Sequence, residues 1–131
     1  CGVVWRDYKA KVTGGDMQPG TARMDFEFEN MTAEFAEQIE QSINQEVKDQ
    51  RPININFLTR DEANQVPDLI RTKINLLPEA ISEIRTIDIN GLDLQADGGT
   101  HVLNTSEVGF ITVTGHESKG RINKRLRIGL S

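Results

Sequence analysis

The chain has 131 residues, 37% of them hydrophobic and 27% charged, a composition that suits a globular domain, and no apolar run approaches the ~18 residues that a membrane span requires. The formal net charge of -5 argues against a uniformly basic nucleic-acid surface, yet residues 119–131 hold five of the fifteen basic residues and no acid, so this tail is +5 and the remainder -10. A lone cysteine makes no internal disulfide, which favours a reducing, cytoplasmic compartment, and the length prior gives one domain over 1–131.

Taken in order, Cys1 to Tyr8 groups Val3, Val4, Trp5 and Tyr8 as the apolar face of a helix, with Cys1 read as a small buried hydrophobe. Lys11 to Pro19, with Thr13-Gly14-Gly15 and the turn former Gln18-Pro19-Gly20, reads as a loop between short extended pieces. From Thr21 to Glu29, Ala22, Met24, Phe26 and Phe28 alternate with Arg23, Asp25, Glu27 and Glu29, the pattern of a half-buried strand. Thr32 can cap a helix in which Phe35, Ala36, Ile39, Ile43 and Val47 recur at helical spacing and whose acidic outer face is solvated. Ile53, Ile55 and Phe57 mark a second strand, and Thr59 to Gln65 a short helix. Pro67 and Pro78 break up 66–82, where Leu69, Ile70, Ile74, Leu76 and Leu77 are expected to cover one side of the core. Ile84, Ile87 and Ile89 mark a strand, as do Gly109 to Thr114 and Lys124 to Leu130. This order predicts an α+β fold of two layers, a mainly antiparallel sheet with helices packed on one face.

The stretch from Asp97 to Gly109, Asp-Gly-Gly-Thr-His-Val-Leu-Asn-Thr-Ser-Glu-Val-Gly, concentrates chemistry and reads as a site. Gly98-Gly99 allows positive φ and close approach of a ligand, and the four-residue spacing of Asp97 and His101 can bring a carboxylate and an imidazole to one metal ion or activated water. The plainer alternative is a Gly-Gly turn whose amides Asp97 caps, followed by a surface histidine. The basic tail likewise reads either as a phosphate-contacting edge or as a strand edge guarded by charge.

Gly-Gly-Thr-His-Val followed by Asn-Thr-Ser-Glu-Val-Gly resembles the signature of the editing domain shared by alanyl- and threonyl-tRNA synthetases and by free-standing alanyl-tRNA editing proteins of the AlaX type. Lys11-Val12-Thr13-Gly14-Gly15, Ala22-Arg23-Met24-Asp25-Phe26, Ser118-Lys119-Gly120 and Asn123-Lys124-Arg125 match further family segments in order and distance, so the resemblance covers nearly the whole chain. Two departures stand out. Asp97 occupies the place of a zinc-binding cysteine, and no His-x-x-x-His pair is present, the only histidines being His101 and His116. The reading is therefore of a fragment, or a mature piece, that starts just after that pair.

The resemblance implies the same α+β fold and an aminoacyl-tRNA deacylase that removes serine or glycine from alanine-specific tRNA. It implies catalytic roles for Thr13, Asp97 and His101, with Thr13 sensing the serine hydroxyl, and a substrate loop at Gly98, Gly99 and Thr100. It also implies acceptor-stem phosphate contacts at Lys119, Arg121, Lys124 and Arg125. Zinc is expected in the full-length parent at His101 and Asp97, and is expected to bind weakly or not at all to this chain, which offers two ligands where a stable site takes three or four. The alternative is a non-catalytic tRNA- or protein-binding module that kept the fold and lost the metal. No phosphate loop or adenylate-forming motif is present, so no ATP site is visible in this chain.

Overall fold

A computed structural model of the protein describes residues 1–72 and 78–131; Ile74, Leu76 and Leu77 therefore lie outside the described residues. In chain order the elements are α1 (Gly2–Tyr8), β1 (Val12–Gln18), β2 (Thr21–Glu27), α2 (Ala33–Lys48), β3 (Ile53–Thr59), α3 (Arg60–Asn64), β4 (Glu83–Ile89), β5 (Asp93–Ala96), β6 (Ile111–Ser118) and β7 (Asn123–Leu130), with one 3-10 turn at Thr105–Val108. The fold is α+β, and the named strands pair antiparallel throughout. They form two sheets, one of four strands in the order β1-β2-β7-β6 and one of three in the order β3-β4-β5.

The core forms where α1 and α2 cover the four-stranded sheet: Val4, Ala10, Phe26, Phe28, Ala36, Ile39 and Leu126 are buried together. Ile39 is fully buried, which favours folding by about 1.5–3 kcal/mol relative to exposure. Tyr8 of α1 meets Phe35 of α2 edge-on at 4.8 Å between ring centroids and Phe28 at 6.0 Å. Thr32 caps α2 as expected, its hydroxyl accepting from Phe35 N at 3.0 Å. The polar side of α2 is not simply solvated. The Asn44 amide donates to Ile111 O at 2.7 Å and accepts from Ile111 N at 2.9 Å, while Glu40 Oε2 accepts from Val113 N at 2.7 Å, so one turn of helix supplies the missing partners along the edge of β6. The buried Glu46 carboxylate is clasped by Arg6 and Arg51, joining α1, α2 and the approach to β3.

Two local expectations change. Residues 12–18 are a strand, because β2 lies alongside and Pro19-Gly20, with Gly20 at φ 77°, turns the chain back on itself. In β3 the alternation is present but Ile55 and Phe57 remain 47% and 61% exposed, since β3 is an edge strand; its neighbour β4 is central, with Ile84, Thr86 and Ile87 each 1% exposed.

Residues Leu69–Thr72 stitch the sheets together. Ala96 N of β5 donates to Leu69 O and Val12 N of β1 to Arg71 O, both at 2.9 Å. Arg71 is held in this seam by Asp93 Oδ1 at 2.5 Å and by the Trp5 ring, 4.8 Å from its guanidinium carbon, which ties α1 to β5. Among the described residues Arg71 Nη1 has no hydrogen-bond partner; the indole face beside the guanidinium is the electrostatic compensation at hand.

Candidate functional site

The seam opens into a cleft of about 400 Å³, lined by residues including Cys1, Val12, Met24, Arg85, Asp97 and Gly98, a volume within the usual range for small-molecule sites. Cys1, expected in the core, is exposed at this cleft with its thiol against the Met24 sulfur, because the packed side of α1 begins at Gly2 and Val3.

The chemistry at the cleft starts from the β4–β5 ladder. Thr86 lies opposite Ala96, and Asp97 N extends the pairing by donating to Arg85 O at 3.2 Å before the chain turns. Asp97 Oδ1 accepts from Gly99 N at 2.7 Å, so the side chain itself closes the turn. Neither Gly98 nor Gly99 takes positive φ, contrary to expectation; the carboxylate supplies the closure that a left-handed residue would otherwise give. A Cβ on Gly99 would sit 3.1 Å from Asp97 Oδ1, whereas the space above Gly98 is open. Arg85 donates from one nitrogen to Asp97 O at 2.8 Å and Gly99 O at 2.7 Å. His101 Nδ1 lies 3.2 Å from Gly99 O, a carbonyl that only accepts, so this contact is a hydrogen bond in the tautomer that carries the proton on Nδ1. His101 Nε2 then faces Asp97 Oδ2 at 3.3 Å. In that tautomer Nε2 and Oδ2 are two acceptors turned toward each other, an arrangement that a cation between them satisfies. Thr100, between them in sequence, is exposed.

Other members of the expected site lie elsewhere. Thr13 sits at an irregularity in the β1–β2 ladder, and its hydroxyl donates to Asn123 Oδ1 at 2.6 Å across the outer side of the sheet, while Val12 is the residue that β1 contributes to the cleft. The structure does not bring Thr13 together with Asp97 and His101. The second half of the 97–109 stretch is a fastener rather than a site: buried Thr105 donates to Glu46 O at 2.7 Å and accepts from Arg51 N at 2.9 Å, and Asn104 Oδ1 caps the 3-10 turn through Ser106 N.

The basic tail is largely neutralised within the fold. Lys124 is buried, and its ammonium donates to the carbonyls of Gly120 and Arg121 in the β6–β7 hairpin. Arg125 makes a two-point pair with buried Asp25, at 2.7 and 3.0 Å, which leaves Arg23 only a looser approach to Asp25 at 3.7 Å. Glu117 takes Arg127 at 2.7 Å and Lys119 at 3.2 Å. Arg121, exposed at the hairpin, has no ion pair among the described residues. The sequence shows the concentration of positive charge but not these partners, which arrive from β2 and β6. His116 is exposed on β6.

The Arg125 guanidinium holds the Asp25 carboxyl below its ordinary range. A depressed folded-state value means that the pair's stabilisation is present above the unfolded value of about 3.9 and is lost as pH falls through the lower folded value. Arg125→Met is therefore expected to lose less stability than the parent chain between pH 5 and pH 2, measured as the shift in urea midpoint. Equal losses in the two proteins would refute the assignment.

Residues 84–127 match the family model for the threonyl and alanyl tRNA synthetase second additional domain. Over 124 residues the chain is 36% identical to the alanyl-tRNA editing protein AlaX-M of Saccharolobus solfataricus, covering 95% of this chain and 51% of that protein. It is 32% identical to the alanyl-tRNA editing protein Aarsd1-B of Xenopus laevis, over 95% of this chain and 29% of the relative. An alanine-tRNA ligase of Methanococcus aeolicus is 36% identical over 77% of this chain and 11% of the ligase. The chain belongs to the alanyl-tRNA editing domain family.

It spans about half the length of the AlaX-M relatives. The part of this editing-family chain that the family model matches runs from β4 into β7 and contains the Asp97 turn, His101 and the basic residues up to Arg127. Arg85 also lies inside it, and residue-by-residue reading missed it. The available signal was topological: an arginine on the strand that delivers the chain to the Gly-Gly-Thr-His turn, in register with Asp97 once β4 and β5 pair.

Proposed function

We propose that this chain provides the hydrolytic editing site for mischarged alanine tRNA, releasing serine or glycine from the tRNA ester. The observation that carries the reading is the facing pair of His101 Nε2 and Asp97 Oδ2 at a cleft of small-molecule size, inside the segment that the family model matches. Ester hydrolysis requires water to lose a proton as it adds to the carbonyl carbon, and the tetrahedral adduct then expels the ribose hydroxyl, which takes a proton back. The lone pair of Nε2 is placed to receive the first proton, and Asp97 stabilises the imidazolium that results. Open space above Gly98 lets the ester approach the turn backbone closely.

Zinc is proposed as a cofactor of the longer parent. Two ligands of a tetrahedral ion with bonds of about 2.0–2.1 Å stand roughly 3.3 Å apart, and the Nε2 to Oδ2 separation is 3.3 Å, so the pair fits half of such a site. Among the described residues no third histidine, cysteine or carboxylate joins it, and we place the remaining ligands outside this chain. When bound there, zinc would take up the Nε2 lone pair, so that His101 would serve as a ligand and not as the base, and the ion would polarise water or the ester carbonyl in its place.

The tRNA acceptor stem is the proposed partner, in a cytoplasmic setting; no helix of the described residues is long and apolar enough to cross a membrane. Purified parent protein given serine-charged alanine tRNA is expected to release serine while leaving alanine-charged tRNA intact. A parent that binds tRNA yet leaves the serine ester unhydrolysed would establish the non-catalytic binding module instead.

A further inference from the structure

We propose that Arg85 is a positioning residue that sets the tautomer of His101, an inference that rests on reading Asp97 and His101 as the reactive pair. The Arg85 side chain bonds two backbone carbonyls of this turn. One guanidinium nitrogen bonds Asp97 O at 2.8 Å and Gly99 O at 2.7 Å, which locks the carbonyl of Gly99 in one direction. That same oxygen is the acceptor for His101 Nδ1 at 3.2 Å, using its second lone pair. The chain of contacts therefore runs from the β4 guanidinium through a single carbonyl to the imidazole, and its effect is to keep the proton on Nδ1 and the lone pair of Nε2 turned toward Asp97 Oδ2. Asp97 is held by the same device from both sides, since its carboxylate bonds Gly99 N at 2.7 Å and its backbone N–H bonds Arg85 O at 3.2 Å.

Without the guanidinium the Gly99 carbonyl is free to rotate away, the ring loses its reason to carry the proton on Nδ1, and Nε2–H can donate directly to the carboxylate. That alternative removes the Nε2 lone pair, the ring's only acceptor on the side that faces Asp97. Both bonds leave one nitrogen whose N–H directions are fixed by the guanidinium plane, whereas a lysine ammonium rotates freely on a shorter, flexible stem, so the substitution of one cation for the other is not neutral here.

The test reads the tautomer directly. In the 131-residue chain with nitrogen-15-labelled histidine, long-range proton–nitrogen spectra at about pH 8, above the ordinary histidine range, report which ring nitrogen carries the proton. His101 in the parent sequence is expected to show the Nδ1–H pattern, and Arg85→Met is expected to shift it to the Nε2–H pattern or a mixture, with His116 unchanged in both. Arg85→Lys, which retains the charge and a single donor nitrogen, is expected to fall between the two and serves as the deciding variant if the methionine substitution does not fold. A folded variant that keeps the full Nδ1–H pattern overturns the proposal. In the longer parent, Arg85→Lys is expected to lower kcat for ester hydrolysis by roughly 10–100-fold with KM within about twofold, the range for outer-shell partners of a reactive histidine; a change confined to KM would overturn it. The spectra need no turnover, so a parent without deacylase activity would defeat the editing reading while leaving the tautomer result intact.

Discussion

His101→Ala in the full-length parent is expected to slow release of serine from mischarged alanine tRNA by roughly 10²–10⁴-fold, the range for losing one positioned acid or base. The magnitude follows from the contacts. His101 offers the only imidazole at the turn, its Nδ1 is anchored to Gly99 O, and its Nε2 stands 3.3 Å from Asp97 Oδ2, so no neighbouring side chain can take over the proton transfer from the same place. His116 supplies the control, because it is exposed on β6 and is absent from the cleft lining. His116→Ala should leave the rate within about twofold, as surface changes away from special contacts generally do. Equal rates for His101→Ala and the parent would remove His101 from the mechanism.

Lys124→Glu is expected to destabilise the fold by about 3–5 kcal/mol, the cost of leaving a buried charge without its partners. Lys124 is 5% exposed and its ammonium donates to two hairpin carbonyls; a carboxylate in its place would turn acceptors toward acceptors inside the same enclosure. For a domain of this size the change should lower the melting temperature by roughly 10–20 °C. Loss of tRNA binding by such a variant would then report unfolding rather than a lost phosphate contact. Arg121→Glu is the cleaner probe. It is exposed at the hairpin, has no ion pair among the described residues, and should leave the melting temperature unchanged while reducing the salt dependence of tRNA binding by about one phosphate equivalent. A parent-like melting temperature for Lys124→Glu, or an unchanged salt slope for Arg121→Glu, would contradict these assignments.

The helices, most strands and the family were legible in the sequence because their signals are local. The alternation from Ala22 to Phe28 records one buried face, and Thr32 followed by Phe35, Ala36 and Ile39 records a cap and an apolar stripe; each depends on neighbours a few residues apart. The Gly-Gly-Thr-His words at 98–101 also carry their meaning locally. What the tertiary structure alone decided is which polar side chains are partners. Asp25 reads as an outward acid until β7 brings Arg125 beside it, and Glu46 reads as a solvated helix acid until Arg6 and Arg51 close on it. Lys124 reads as a free phosphate ligand until the hairpin folds its own carbonyls over the ammonium. Thr13 reads as a substrate contact until strand pairing sends its hydroxyl to Asn123, 110 residues away. The division has one cause. Hydrophobic periodicity is set by backbone geometry within a segment, whereas a charge finds its partner only after distant strands pair, and the energy of a charge depends on that partner and on burial far more than on the residue's own identity.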